Sequence, residues 1–122
     1  MVKKHQDLVV YQRSFESAMQ IFEISKSFPK QEMYSLIDQI RRSSRSVAAN
    51  IAEAFRKRRY PAHFIAKLTD AEMEAAETQV WLEFALKCKY MNLPLVHELN
   101  DKYDHIIRQL ITMQRQANRW KI

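Results

Sequence analysis

Apolar residues recur at alternating spacings of three and four along four stretches of this 122-residue chain. The first stretch carries Leu8, Tyr11, Phe15, Ala18 and Phe22; the second carries Met33, Leu36, Ile37, Ile40, Ser44, Val47, Ile51 and Phe55. The third has Phe64, Leu68, Ala71, Ala75, Thr78, Leu82 and Leu86, and the fourth has Leu99, Tyr103, Ile106, Leu110, Met113 and Ala117. This spacing puts one apolar stripe on each of four helices. Pro29, Pro61 and Pro94 separate the stretches. Proline is tolerated in the first turn of a helix, where its missing N–H would have no partner, so each one marks a helix start. Helices are therefore expected over residues 7–27, 30–58, 62–90 and 94–118. Short links between long helices make neighbours antiparallel. The expected fold is all-α, an up-down-up-down antiparallel four-helix bundle forming one domain over residues 1–122.

The third helix has a second apolar line that a lone bundle does not need. Ala66, Met73, Ala76, Val80 and Phe84, with the adjacent Trp81, lie about 120° or more from the centre of its first stripe. A helix that is apolar on two sides has two partners, one being its own core. The expected second partner is another copy of the chain, in preference to an overfull core beneath the N-terminal segment.

Charge sharpens the picture more than composition does. Hydrophobic residues make up 47% of the chain and charged residues 28%, the balance of a globular protein. There is no run of roughly 20 apolar residues and no leader-like N-terminus, so a cytoplasmic location and no membrane partner are expected. The one cysteine, Cys88, reads as a reduced, structural thiol. The net charge is +6, and all of it falls between residues 41 and 59, where Arg41, Arg42, Arg45, Arg56, Lys57, Arg58 and Arg59 face Glu53 alone. Asp70, Glu72, Glu74, Glu77 and Glu83 form an acidic counterpart without lysine or arginine between them.

On a helical wheel Arg41, Arg45, Arg56 and Arg59 fall within about 60° of one another, beside the apolar stripe. Such a rail suits the phosphates of RNA or DNA. It equally suits the acidic face of Asp70, Glu74 and Glu77, in the same chain or another subunit. The stretch "FRKRR" at 55–59, at a helix C-terminus that favours cations, is the most exposed candidate for phosphate. Asn50 and Glu53 border the core stripe among small residues and are expected to fix register at an interface, together with Glu77.

Catalytic and cofactor readings are weaker. The chain has no glycine, so neither a P-loop nor a dinucleotide fingerprint is possible. His97, Asp101 and His105 share a helix face, but nothing completes a metal shell. Arg58 and His63 match the loose R-x4-H spacing of HEPN-type RNases, interrupted by Pro61. Ser43, Ser44 and Ser46 lack a nearby base and fit a close helix crossing better. No cofactor and no enzymatic activity are expected.

Three segments, "DLVVYQRSFE", "FPKQEMYSLIDQIRRSSRSVAANIAEAFRK" and "EAAETQVWLEFALKCKYM", resemble in order and spacing the bacterial four-helix bundle proteins typified by the 23S rRNA intervening-sequence protein. The accessory variability proteins of diversity-generating retroelements look like relatives. The likeness spans residues 7–115 and rests on Phe28, Pro29, Tyr34, Leu36, Gln39–Arg42, Ala49–Glu53 and Glu77–Gln79. It implies a barrel-like homopentamer with a basic surface for nucleic acid and, in the retroelement relatives, a reverse transcriptase as partner. It implies no catalytic residues. The sequence departs from the pattern at Ser35, Ala54 and Lys89, where the family usually has glycine.

Overall fold

The structure is a computed structural model and describes residues 2–122. It has four long helices: α1 (Val9–Ser25), α2 (Leu36–Arg56), α3 (Pro61–Lys87) and α4 (Leu93–Arg115). A short helix, α5 (Ala117–Trp120), follows, and single 3-10 turns lie at His5–Asp7 and Lys30–Glu32. No strand occurs among the described residues. No helix of the described residues is long and apolar enough to cross a membrane.

Two of the three prolines start helices as expected. Pro61 opens α3, and Pro94 sits in the first turn of α4, where the Asn92 side chain caps the Leu95 amide at 2.9 Å. Pro29 instead precedes the 3-10 turn, and α2 begins only at Leu36 rather than at residue 30. Ser35 lies outside helical space, with φ −127° and ψ −100°. The expected end at residue 58 is also too late, because α2 stops at Arg56.

The helices pack as a ring, α1 on α2, α2 on α3, α3 on α4, and α4 back on α1. Side-chain pairs mark each seam. Between α2 and α3, Arg42 meets Glu74 and Glu77, and Glu53 meets Lys67. Between α3 and α4, Gln79 donates to Asp104 at 2.8 Å and Gln114 donates to Glu72 at 2.9 Å. Gln20 of α1 joins Glu98 and Lys102 of α4, and Ser25 of α1 joins Arg41 of α2.

The stripes read on α2, α3 and α4 form the core. Ile40, Val47, Ile51, Leu68, Leu82, Leu99, Ile106 and Leu110 are completely buried or nearly so. Met33 and Leu86 are the exceptions, Met33 exposed and Leu86 half-buried. Tyr103 is also buried, and its hydroxyl has no hydrogen-bond partner, so desolvation pushes its pKa upward.

The stripe expected on the first helix holds at Leu8 and Ala18, which are buried, but not at Tyr11, Phe15 and Phe22. Val10, Ser14, Ser17, Ala18, Ile21 and Ser25 face inward, whereas Phe15 is 50% exposed and Tyr11 and Phe22 are half-buried. Serine can line a core because its hydroxyl returns to its own helix: Ser14 donates to the Val10 carbonyl at 2.7 Å and Ser25 to that of Phe22 at 3.0 Å. The inward face of α1 thus mixes small residues with Val10 and Ile21, while Phe15 and Met19 lie outside.

The end of α3 accounts for one of the three departures from glycine. Tyr90 N–H donates to Ala85 C=O at 2.9 Å and Lys89 N–H to Leu86 C=O at 3.0 Å, the paired bonds of a Schellman cap. That cap needs a left-handed residue, and Lys89 has φ +64°. Glycine takes this conformation freely, whereas a residue with Cβ is strained there by about 1–2 kcal/mol. Neither Ser35 nor Ala54 requires positive φ. Lys89→Gly is therefore expected to stabilise the fold by about 0.5–1 kcal/mol, read as a Tm increase of a few degrees, while Lys87→Gly within α3 lowers Tm.

Candidate nucleic-acid interface

The basic segment lies along α2 and the turn after it, and its residues have different neighbours. Arg42 leans toward α3, where its guanidinium pairs with Glu74 at 3.1 Å and also with Glu77. Burial pulls its pKa down, but the attraction of the two carboxylates outweighs this and the net shift is upward. The acidic face thus takes Arg42, within the chain, rather than the expected rail of Arg41, Arg45, Arg56 and Arg59.

Arg41 and Arg45 turn the other way, toward α1. Arg41 Nε donates to Ser25 Oγ at 2.8 Å, and its guanidinium lies 4.8 Å from the Phe22 ring centre. Arg45 lies 5.5 Å from the same ring and Lys26 4.8 Å from it. Each such contact is worth roughly 0.5–1 kcal/mol at an exposed site, which offsets part of the repulsion among three cations. Beside them runs an open groove of about 630 Å³, lined by Met33, Tyr34, Ile37, Asp38, Arg41, Arg42, Arg45, Ser46 and Ala49.

The "FRKRR" stretch does not continue the rail. Because α2 ends at Arg56, Lys57–Arg59 form a turn closed by Tyr60 N–H to Lys57 C=O at 3.0 Å. Arg59 therefore leaves the helical register that would align it with Arg41. Arg58 folds back, donating from Nε to the Phe55 carbonyl at 2.7 Å and stacking 3.6 Å from that ring. Burial, with repulsion from Arg56, lowers its pKa. Arg56 and Arg59 are exposed and Lys57 half-buried. Among the described residues, none of Arg41, Arg45, Arg56, Lys57, Arg58 and Arg59 has a carboxylate partner.

The second apolar line of α3 is open. Met73, Val80 and Phe84 are 54%, 45% and 53% exposed, and Ala76 is exposed beside them. Trp81 is half-buried, 5.8 Å from Phe84, and its indole N–H has no partner. The N-terminal segment lies elsewhere, with Val2, Asp7 and Leu8 bordering a cavity shared with Thr112, Met113 and Trp120. The polar residues expected to fix register at an interface have partners within the chain. Glu77 holds Arg42, Glu53 holds Lys67 at 3.4 Å, and Asn50 donates to the Ser46 carbonyl at 2.9 Å.

The remaining polar candidates are drawn into local contacts. His105 approaches Arg108 at 3.3 Å, and among the described residues no group of three His, Cys, Asp or Glu side chains could hold a metal ion. His63 sits edge-on to Tyr60 at 5.8 Å. Ser43 shares a buried 2.8 Å hydrogen bond with Thr78. Cys88, read as a structural thiol, is exposed at the end of α3.

The sequence reading missed two contributors. Phe22 was counted as core, but it gathers Lys26, Arg41 and Arg45. Tyr34 was a motif residue without a role, yet it is 94% exposed at the groove. Its place outside every apolar stripe was the available signal.

The model of the 23S rRNA-intervening sequence protein family matches residues 6–112, from the first turn to near the end of α4. The chain belongs to that family. A similar solved structure is that of a protein of unknown function from the S23 ribosomal protein family of Bacteroides thetaiotaomicron VPI-5482. It is 32% identical, has a TM-score of 0.79, and the match covers 88% of this chain and 96% of that one. No curated protein matches the chain.

In this member of the 23S rRNA-intervening sequence protein family, one carboxylate ties the start of α2 to the end of α3. Glu32 accepts the Ser35 hydroxyl, the Tyr90 hydroxyl at 2.8 Å and the Leu36 amide at 3.4 Å. These bonds favour the ionised form, the Ser35 bond most, and lower the Glu32 pKa from its ordinary 4.5. A carboxyl with a depressed folded pKa stabilises the fold above its unfolded pKa and loses that contribution as pH falls through the folded value. Glu32→Gln is expected to lower the urea midpoint at pH 7, with the gap from the parent protein shrinking as pH falls from the ordinary carboxyl value of 4.5 through the lowered one. A constant gap across that range would contradict this role.

Proposed function

We propose that this chain is a homo-oligomeric, up-down-up-down four-helix bundle that binds nucleic acid through the basic surface of α2 and its following turn, without catalysing a reaction. The antiparallel topology is supported by the seams, in which residues early in one helix meet residues late in the next. Arg42 opposite Glu77, for example, is matched by Glu53 opposite Lys67. The observation carrying the binding reading is that six of the seven cations between residues 41 and 59 have no carboxylate partner among the described residues. Clustered, unneutralised arginine and lysine gain most from a polyanion, whose condensed counterions are released on binding. The family description mentions 23S rRNA, which makes RNA the preferred polyanion.

A binding role fits better than hydrolysis because the groups with catalytic potential are held by neighbours. Arg58 lies on Phe55, His63 against Tyr60, and Ser43 on Thr78. Self-association is supported by the exposed line of Met73, Ala76, Val80 and Phe84. Apolar side chains in a row on one helix face are an interface awaiting a partner. The resemblance described above makes five copies the expected number, and a reverse transcriptase is a partner only by the same analogy. A pure assembly module, with no nucleic acid, is the competing reading.

Two outcomes separate these readings. On immobilised RNA, raising salt from about 50 to 200 mM is expected to lower the affinity at least tenfold. The triple variant Arg56→Gln, Lys57→Gln, Arg59→Gln should flatten that dependence with unchanged helicity; an unaltered salt slope would remove the turn from the interface. By light scattering, Val80→Glu with Phe84→Glu should reduce the particle toward the monomer mass of 14.6 kDa, leaving helicity intact. A parent protein already of monomer mass would refute assembly.

A further inference from the structure

We infer that the groove along the outer face of α2 binds a single-stranded polynucleotide, with Tyr34 stacking on a base and Arg41 and Arg45 holding adjacent phosphates. The inference rests on the nucleic-acid reading above and names its ligand.

Tyr34 is 94% exposed, more than any other large hydrophobic side chain described. A ring so exposed adds little to the stability of this chain. Its backbone is nevertheless fixed. Met33 N–H donates to Lys30 C=O at 3.0 Å, Ser35 N–H donates to Glu32 C=O at 3.1 Å, and the Ser35 hydroxyl is bonded to the Glu32 carboxylate. A rigidly mounted, solvent-facing aromatic beside arginines is the combination that single-strand sites use, because every base offers a π-face and every nucleotide a phosphate.

The cations are spaced for such a strand. Arg41 and Arg45 are one helical turn apart, a rise of about 6 Å, comparable with the phosphate repeat of an extended strand. Arg41 is pre-positioned by Ser25 and Phe22 through its Nε and its flat face, leaving its terminal N–H groups available. Phosphate accepts such a planar fork bidentately. Arg42 lines the same groove but is neutralised by Glu74 and Glu77. Asp38 also lines it and opposes phosphate, so the backbone of the strand runs on the Arg41–Arg45 side. A duplex keeps its bases stacked and offers Tyr34 nothing but phosphate. An acidic peptide would pair with the arginines and leave the ring unused.

The test is fluorescence anisotropy at about 50 mM salt with labelled oligouridylate and oligothymidylate of about ten nucleotides, and an RNA hairpin duplex of similar charge. Tyr34→Ala is expected to weaken binding of both single strands by about 5- to 150-fold. Tyr34→Phe should stay within about twofold of the parent, as should hairpin binding by Tyr34→Ala. Asp38→Asn should tighten the single strands. The oligouridylate to oligothymidylate ratio distinguishes RNA from DNA as the preferred source of the strand. If Tyr34→Ala binds oligouridylate as the parent does, or if polyglutamate competes as well as oligouridylate, the stacking site is overturned. The broader nucleic-acid reading survives the first of these results. If the parent binds none of the polynucleotides, both readings fall.

Discussion

Ser43 and Thr78 share a 2.8 Å hydrogen bond, both fully buried, where α2 crosses α3. Residues this small let two helices approach closely, and hydroxyls that satisfy each other leave no orphaned polar atom in the seam. Thr78 completes its bonding by donating to the Glu74 carbonyl at 2.9 Å. The close crossing fixes the rotation of α2 about its axis. With Ile40, Val47 and Ile51 inward, Arg42 can only lean over α3, where Glu74 and Glu77 wait, and Arg41 and Arg45 can only lean toward α1. The contact that seals the core therefore also divides the arginines into one that is neutralised and two that are not.

This division explains what could be read from the chain alone. The stripes of α2, α3 and α4 were legible because their inward positions carry large apolar residues at helical spacing, and burial follows that spacing. The α1 stripe was not, because three of its inward positions are serines, two of which, Ser14 and Ser25, satisfy themselves on the helix backbone. Counting them as polar turned the predicted helix toward Tyr11 and Phe15. Pro61 and Pro94 marked true starts, whereas Pro29 was followed by Ser35 and a carboxylate that delays the helix. The early end of α2 then took Arg59 off the rail. The choice of Arg42 by Glu74 and Glu77 depends on the rotation of two helices about each other, which no single stripe encodes.

The candidate site was legible as charge but not as arrangement. All seven cations were visible in residues 41–59, and so was the acidic run facing them. The part played by Phe22 was hidden, because an aromatic at helical spacing reads as core. With Ile21 and Ser25 turned inward, Phe22 is left half-buried beside Arg41 and Arg45.

The unpaired cations also carry a cost that the chain had the means to avoid. It holds 14 acidic residues, enough to neutralise most of the 20 lysines and arginines. Yet Lys67 lies near both Glu53 and Asp70, and Arg42 meets both Glu74 and Glu77, while Arg41, Arg45, Arg56 and Lys57 have none among the described residues. Like charges held within a few turns repel one another and oppose folding. The Phe22 ring and the dipole at the end of α2 offset that repulsion only in part. When local charge placement runs against stability while the apolar stripes and the helix seams agree with it, the conflict marks a surface whose charge folding alone does not explain. Tyr34 meets the same criterion on the apolar side, a large ring withheld from the core at the edge of that surface. Repulsion and exposure meet at the groove that Tyr34, Arg41 and Arg45 line, and a polyanion with stacking bases would relieve both.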